Sequence, residues 1–147
     1  MRTSAVKSLI LPAKIENLHG CIDFVAACAA GQGFGKRRIS EIRLALEEVL
    51  VNIINYAYSD RPETGDIEIA CRQTGENALE IEIIDSGAPF DMLASKEPDT
   101  EAEIPDRQIG GLGIFFVKQI MNGIRYAREG GRNKLTLTAE SAGQLSA

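Results

Sequence analysis

The feature that most constrains the fold is one long stretch of helical periodicity, residues 39–58. Apolar residues recur there at intervals of three and four, which is the spacing of a single buried helix face. They are Ile39, Ile42, Leu46, Val49, Leu50, Ile53, Ile54 and Ala57. A helix of this length must bury that face against a second layer, so the rest of the chain has to supply one.

A polar stripe runs beside the apolar face of the same helix. Glu48, Asn52 and Asn55 stand at positions i, i+4 and i+7 and therefore stack on one side. A carboxylate and two amides could hold a metal ion and a reacting hydroxyl, or they could form an ordinary solvated face. Taken alone, this stretch favours the solvated face.

Composition places limits on the class of protein. A chain of 147 residues with 44% hydrophobic residues is expected to form one domain with one core. A formal net charge of -5 opposes non-specific binding to nucleic acid. We interpret the basic run at residues 36–38 as solvated helix surface or a protein contact.

The cysteines and the single histidine do not suggest a metal site. Cys21, Cys28 and Cys71 form no Cys-x-x-Cys pair, and His19 has no second histidine as partner. We therefore expect small, buried, reduced cysteines. The apolar run at residues 8–13 is too short for a signal peptide or a membrane span, so we expect a cytoplasmic protein with no membrane partner.

The periodicity along the chain predicts the order of its elements. They are a strand (4–11), a helix (15–29), the long helix, a hairpin (66–83), a helix (110–121) and a second hairpin (125–139). This order predicts an α+β fold, a two-layer α/β sandwich with helices on one face of a mainly antiparallel sheet. The unpatterned segment at about 91–110 is typical of a lid, and residues 140–147 are expected to fray.

Two further segments could carry chemistry. Asp85 and Gly87 follow a strand, where a carboxylate could accept a hydrogen bond from the amino group of adenine. Residues 110–113, Gly-Gly-Leu-Gly, open a helix, where glycines and free N–H groups favour an anion such as phosphate. Each signal is weak alone, because both sequences also occur in ordinary turns.

Together, these segments resemble the GHKL, or Bergerat-fold, ATPase superfamily. The pattern Glu48-x-x-x-Asn52 is similar to the N box, residues 85–90 to the first glycine box, and residues 110–113 to the second. Within that superfamily, the forms Leu-x-Leu-Glu-Glu-x-x-x-Asn and Asp-x-Gly-x-Pro-Phe-Asp resemble the RsbW-like anti-sigma-factor serine/threonine kinases. The resemblance covers residues 6–139.

The resemblance implies a Bergerat fold with a mixed sheet, an ATP lid, and ATP or ADP bound with Mg²⁺. It implies two protein partners, a sigma factor and a STAS-domain anti-anti-sigma protein that is phosphorylated, and family members commonly form homodimers. The implied roles are general base for Glu48, magnesium ligand for Asn52, adenine recognition for Asp85, backbone support for Gly87, phosphate contacts for Gly111, Leu112 and Gly113, and a place near the phosphates for Asn55.

Two functions stay open at this point. Glu48 favours a kinase. Ile109 and Gly110, however, stand where better-known members carry arginine and serine, with Arg107 two residues earlier, which favours a nucleotide-gated binding protein without phosphotransfer. A free-standing histidine-kinase domain is a weaker alternative, because His19 does not resemble a phosphoacceptor.

Overall fold

The long helix predicted by the periodicity is the central element of the computed structural model, which describes residues 6–94 and 110–141. Helix α2 spans Lys36–Tyr56, so it ends two residues before the predicted stretch does. Its core-facing residues Ile42, Leu46, Val49, Leu50 and Ile53 are buried, while Ile39 and Ile54 lie half-buried at the edge of the core. The predicted apolar face is therefore confirmed.

The other elements follow the predicted order. They are β1 (Lys7–Pro12), α1 (Leu18–Gly31), β2 (Asp66–Gly75), β3 (Ala78–Asp85), α3 (Gly110–Ile120), β4 (Gly123–Glu129) and β5 (Arg132–Glu140), with short 3-10 turns at Ile15–Asn17 and Met92–Ala94. Most of the predicted lid, and residues 142–147 of the predicted tail, lie outside the described residues. Glu140, placed in that tail by the sequence, is the last residue of β5.

The five strands form one sheet in the order β1-β2-β3-β5-β4. Each pairing between the described strands is antiparallel. This confirms the α+β class. It also confirms that β1 is an edge strand, as the loose alternation ending at Pro12 predicts, but it corrects the expectation of a mixed sheet. The physical reason is that the sheet consists of two hairpins, β2–β3 and β4–β5, which join through an antiparallel β3–β5 pair.

The core lies between the three helices and the inner face of the sheet. Alternate residues of the central strands point into it: Ile67, Ile69 and Cys71; Leu79, Ile81 and Ile83; Leu135, Leu137 and Ala139. Cys21 and Cys71 are buried and Cys28 is half-buried, and all three are free thiols. His19 is exposed on α1. No helix in the described part of the chain is long and apolar enough to cross a membrane.

The outer face of the sheet carries cross-strand ion pairs. Apolar residues alternate with Glu80 and Glu82 in the first predicted hairpin, which predicts one solvated face. Glu80, however, is only 9% exposed because Arg72 and Arg125 both pair with its carboxylate. Long arginine side chains cover neighbouring surface with their apolar stems while their charged ends stay wet. The prediction of a fully wet outer face is therefore wrong at Glu80.

Arg38 also departs from its predicted place. We interpreted it as solvated surface, but it is 3% exposed. Its guanidinium donates to the carbonyls of Glu140 (2.7 Å) and Ile120 (3.0 Å) and to side-chain oxygens of Asn122 and Glu41 (both 2.8 Å). Four acceptors compensate the desolvated charge, so Arg38 is a structural residue between α2 and the end of α3.

Candidate functional site

The carboxylate of Glu48 lies against the first turn of α3. Arg38, at the start of α2, contacts Ile120, at the end of α3, so the two helices run antiparallel and bring Glu48 beside Gly113. A Cβ atom added to Gly113 would lie 1.8 Å from the Oε1 atom of Glu48. Gly113 therefore provides the space that the carboxylate occupies, and the predicted N box and second glycine box meet.

The environment of Glu48 favours its protonated form. Burial raises the pKa of its carboxyl group, and the charge of Glu47 raises it further. A carboxylate with a raised pKa accepts a proton more readily near neutral pH than an ordinary surface glutamate does. This position and this shift suit a general base.

Asn52 is one helical turn beyond Glu48 and is 1% exposed. Its Nδ2 atom donates to the backbone carbonyl of Glu48 over 2.8 Å, and no donor among the described residues reaches its side-chain oxygen. A buried amide oxygen without a donor is uncommon and fits a hard cation. The described residues hold no cluster of three acidic, histidine or cysteine side chains, and Mg²⁺ is commonly held by one or two protein oxygens together with phosphates and waters.

Asp85 ends the inner face of β3 and is 5% exposed. Its Oδ1 atom accepts hydrogen bonds from the Gly87 N–H group (2.8 Å) and from Nδ2 of Asn133 (2.9 Å). Within residues 6–94 and 110–141, no donor reaches Oδ2. One carboxylate oxygen is thus fixed by the protein, and the other remains available as an acceptor.

Gly87 brings the loop after β3 against the end of α2. A Cβ atom there would lie 2.0 Å from the carbonyl oxygen of Ala57, and the N–H group of Ala88 donates to that same oxygen (3.0 Å). Only a glycine permits this approach. The contact joins the predicted first glycine box to the helix that carries Glu48 and Asn52.

A mostly apolar pocket lies beside Asp85. Its lining residues come from α2, the sheet and the segment after β3: Ile53, Ala57, Ile83, Asp85, Phe90, Met92, Tyr126, Asn133 and Leu135. Its cavity volume is about 10 Å³, enough for a single water molecule. A purine ring therefore requires side chains to move, and Phe90 and Met92 belong to the segment that leads into the predicted lid.

The other residues predicted for the site, so far as the structure describes them, do not line the pocket beside Asp85. Asn55 is exposed and does not line this pocket. Gly111 and Leu112 lie in the first turn of α3, so the glycine segment is part of the helix and not a separate turn before it. Arg107 and Ile109 lie outside the described residues.

Comparison with known proteins identifies the family. Residues 11–139 match the histidine kinase-like ATPase domain. Serine/threonine-protein kinase BtrW of Bordetella bronchiseptica is 32% identical over 69% of this chain and 70% of its own length. Serine-protein kinase RsbW of Listeria innocua is 28% identical over 84% of this chain and 80% of its own length. The chain belongs to the RsbW-like family of histidine kinase-like ATPase domains.

Solved structures of other proteins show a similar fold. The RsbU and RsbW domains of a Mycobacterium tuberculosis protein match with a TM-score of 0.64 and 18% identity, over 92% of this chain and 32% of that one. A blue-light activated histidine kinase from Erythrobacter litoralis matches with a TM-score of 0.51 over 86% of this chain and 62% of that one. At 18% identity, these likenesses concern the architecture alone.

The sequence analysis missed several residues around the pocket of this RsbW-like domain. Asn133 is buried beside Asp85, and Tyr126 and Arg128 both contact Asn133. Tyr58 links the ends of β2 and β3, since its hydroxyl donates to the Asp66 carbonyl (2.6 Å) and accepts from the Ser86 N–H group (2.8 Å). Extending the alternation of β5 two residues back from Leu135 would have placed Asn133 on the inner face.

Proposed function

We propose that this protein is an ATP-dependent serine/threonine-protein kinase that also binds a sigma factor, and that its phosphoacceptor is a STAS-domain anti-anti-sigma protein. The observation that carries the proposal is the contact between Glu48 and Gly113, one helical turn from a buried amide oxygen of Asn52. Glu48, Asn52 and the start of α3 therefore lie close together, as a base, a metal ligand and a phosphate-binding helix start would have to. The names of its relatives support protein phosphorylation, and the identities of both partners rest on the family resemblance.

We assign the roles of the residues from the family resemblance, and this geometry supports the assignment. The pocket beside Asp85 holds the base of ATP, and the start of α3 receives the phosphates through its free N–H groups. Asn52 would hold Mg²⁺, which supplies positive charge to the phosphate oxygens when bound. The hydroxyl oxygen of the acceptor attacks the γ-phosphorus, the bond from that phosphorus to the bridging oxygen breaks, ADP leaves, and Glu48 takes the hydroxyl proton.

One observation favours a second function, nucleotide-gated binding without phosphotransfer. Phe90 and Met92 line the narrow pocket, and the carbonyl of the next residue, Leu93, accepts a hydrogen bond from Lys118 of α3 (3.3 Å). A nucleotide that displaces these side chains also displaces the start of the predicted lid. This gating is compatible with a kinase but does not require one.

Replacing Glu48 by glutamine separates the two functions. We expect Glu48→Gln to bind ATP as the parent does and to lose transfer of labelled γ-phosphate to a STAS protein encoded nearby, because the amide has no basic oxygen. Glu76→Gln, at an exposed turn position, makes the same change of charge and is the control, which should transfer phosphate normally. Equal transfer by Glu48→Gln and the parent would remove Glu48 from the mechanism and leave the gated binding protein.

A further inference from the structure

The side-chain amide of Asn133 has its orientation fixed by its neighbours. Its Oδ1 end accepts from the Phe90 N–H group (3.2 Å), the Tyr126 hydroxyl (2.6 Å) and Nη1 of Arg128 (3.2 Å). A backbone N–H and a guanidinium can only donate, so the atom that they contact must be the oxygen. The opposite end must then be the NH₂ group.

The NH₂ group of Asn133 in turn fixes Asp85. It donates to Oδ1 of Asp85 (2.9 Å) and to the carbonyl of Ala88 (2.8 Å). Oδ1 also receives the Gly87 N–H group, so the protein engages this one oxygen twice. The carboxylate therefore cannot rotate without breaking two hydrogen bonds, and Oδ2 keeps one direction.

Arg128 ties this unit to the loop after β3. Its Nη1 atom donates to the carbonyl of Gly87 (2.7 Å) as well as to Asn133. The amide, the carboxylate and the loop are consequently held as one network, and each part of it depends on which way the Asn133 amide faces.

We propose that Asn133 is a positioning residue for base recognition: it holds Asp85 so that Oδ2 accepts from the amino group of a 6-aminopurine nucleotide, and Tyr126 and Arg128 keep its amide in the required orientation. Asn133 acts through Asp85 and does not itself bind the base. The inference rests on the nucleotide-binding part of the proposed function and is independent of phosphotransfer.

The competing explanation is that Asn133 only braces the loop, through Ala88 and Phe90. If Asn133 only stabilises the loop, its replacement should weaken the binding of all nucleotides equally. If Asn133 orients Asp85, its replacement should reduce only the part of the affinity that comes from the amino group. The quantity to measure is therefore the ratio of dissociation constants for purine riboside triphosphate, which lacks the amino group, and ATP. This ratio does not depend on how much of a variant is folded.

The experiment is calorimetric titration of both nucleotides with Mg²⁺ into the parent and four variants. We expect a ratio of about tenfold or more in the parent, because the analogue leaves a buried carboxylate oxygen unpaired. Asp85→Asn should bring the ratio close to one, and Asn133→Ala should lower it severalfold. Tyr126→Phe is a smaller change, which removes one of the donors to Oδ1 of Asn133, and it should give an intermediate ratio.

Asn122→Ala is the matched control, because the Asn122 side-chain oxygen also accepts a hydrogen bond from an arginine, but this residue lies away from the pocket. Its ratio should equal that of the parent. If the ratio of dissociation constants in both Asn133→Ala and Tyr126→Phe equals that of the parent, the inference is overturned, but nucleotide binding is not affected. Failure of the parent to bind either nucleotide would instead overturn the proposed function, and the inference with it.

Discussion

Gly87 and Gly113 both occupy positions where a side chain would collide, but the atoms that they would meet differ in kind. A Cβ atom at Gly113 meets the flexible end of Glu48, and one at Gly87 meets the backbone carbonyl of Ala57. A side-chain end can move at little cost, whereas two backbone segments must separate together. Alanine at Gly113 should therefore change mainly the phosphotransfer activity, whereas alanine at Gly87 should lower the stability of the fold.

For Gly113→Ala we expect near-normal stability with phosphotransfer reduced at least about tenfold, because the methyl group displaces the carboxylate that takes the proton. Thermal unfolding and phosphate transfer to a STAS protein would be measured on the same preparation. Gly31→Ala, at a helical glycine with no atom within 4 Å of the added Cβ, is the control and should change neither. Full transfer activity in Gly113→Ala would show that the position of Glu48 is not critical.

For Gly87→Ala we expect a loss of about 1–3 kcal/mol in the free energy of unfolding, the usual cost of overpacking. ATP binding should weaken as well, because the N–H group of Gly87 is one of the two donors that fix Asp85. Urea denaturation and calorimetric titration measure the two effects. Unchanged stability would mean that the loop is free to move away from α2.

The raised pKa of Glu48 predicts how its removal changes stability with pH. Because burial raises the pKa in the folded state, the native protein binds this proton more tightly than the unfolded chain does. The resulting stabilisation is complete below about pH 4, the range of an unfolded glutamate, and is lost as the pH rises through the folded pKa. At neutral pH the ionised Glu48 is therefore unfavourable for folding.

Accordingly, Glu48→Gln should unfold at a higher temperature than the parent at neutral pH, and the difference should shrink as the pH falls to about 4. Glu76→Gln, at an exposed turn position, makes the same change of charge and should show no such trend. A parent that is more stable than Glu48→Gln at neutral pH would indicate that the carboxylate has a favourable partner in the fold.

The residues of the site differ in how far sequence alone could identify them. Glu48 and Asn52 share a helix, so their spacing places them together without any knowledge of the fold. Asp85 and Asn133 are 48 residues apart and meet only because β3 pairs with β5, which no local pattern indicates. The alternation of β5 can place Asn133 on the inner face, but its contact with Asp85 depends on the strand order.

At the scale of elements, the packing of α2 on α3 determines whether the site exists. Arg38 of α2 donates to a carbonyl at the end of α3, and Glu48 of α2 packs against Gly113 at the start of α3. Helix α2 therefore contacts both ends of α3. Sequence analysis placed both helices correctly but assigned Arg38 to the surface, because a basic run gives no sign of a carbonyl 82 residues away. Whether a charged side chain in the basic run at residues 36–38 is buried depends on how the helices and strands pack, and the run itself does not indicate it.

Arg38→Ala should lower the free energy of unfolding by at least about 2 kcal/mol, because it removes the guanidinium that donates to the buried Ile120 carbonyl and to three further oxygens at this helix junction. Arg37→Ala removes the exposed neighbouring charge and should change stability by no more than about 0.5 kcal/mol. Urea denaturation would compare the two. Equal, small effects would show that water replaces the guanidinium at this helix junction.

At the scale of the whole molecule, nucleotide binding and folding are linked, because the pocket that we propose for the base is nearly closed. Its cavity of about 10 Å³ beside Asp85 is smaller than a purine ring, so lining side chains such as Phe90 and Met92 must move, and part of the binding energy goes into that movement. The net affinity still stabilises the fold by mass action. Thermal unfolding therefore reports on the complete site, metal ligand included.

At a concentration of ATP about 100 times its dissociation constant, with Mg²⁺ present, we expect the unfolding temperature to rise by roughly 5–10 °C. Chelating Mg²⁺ should remove much of this increment in the parent.

In Asn52→Ala the increment should be small with or without Mg²⁺, because the buried oxygen that would hold the ion is gone. Asn55→Ala is the control, because the Asn55 side chain is exposed whereas that of Asn52 is buried, and it should behave as the parent does. The comparison uses the Mg²⁺-dependent increment and not the absolute temperature, since Asn52→Ala also loses a hydrogen bond to the Glu48 carbonyl. An increment that survives in Asn52→Ala but disappears in Asn55→Ala would move the metal site to the exposed side of α2.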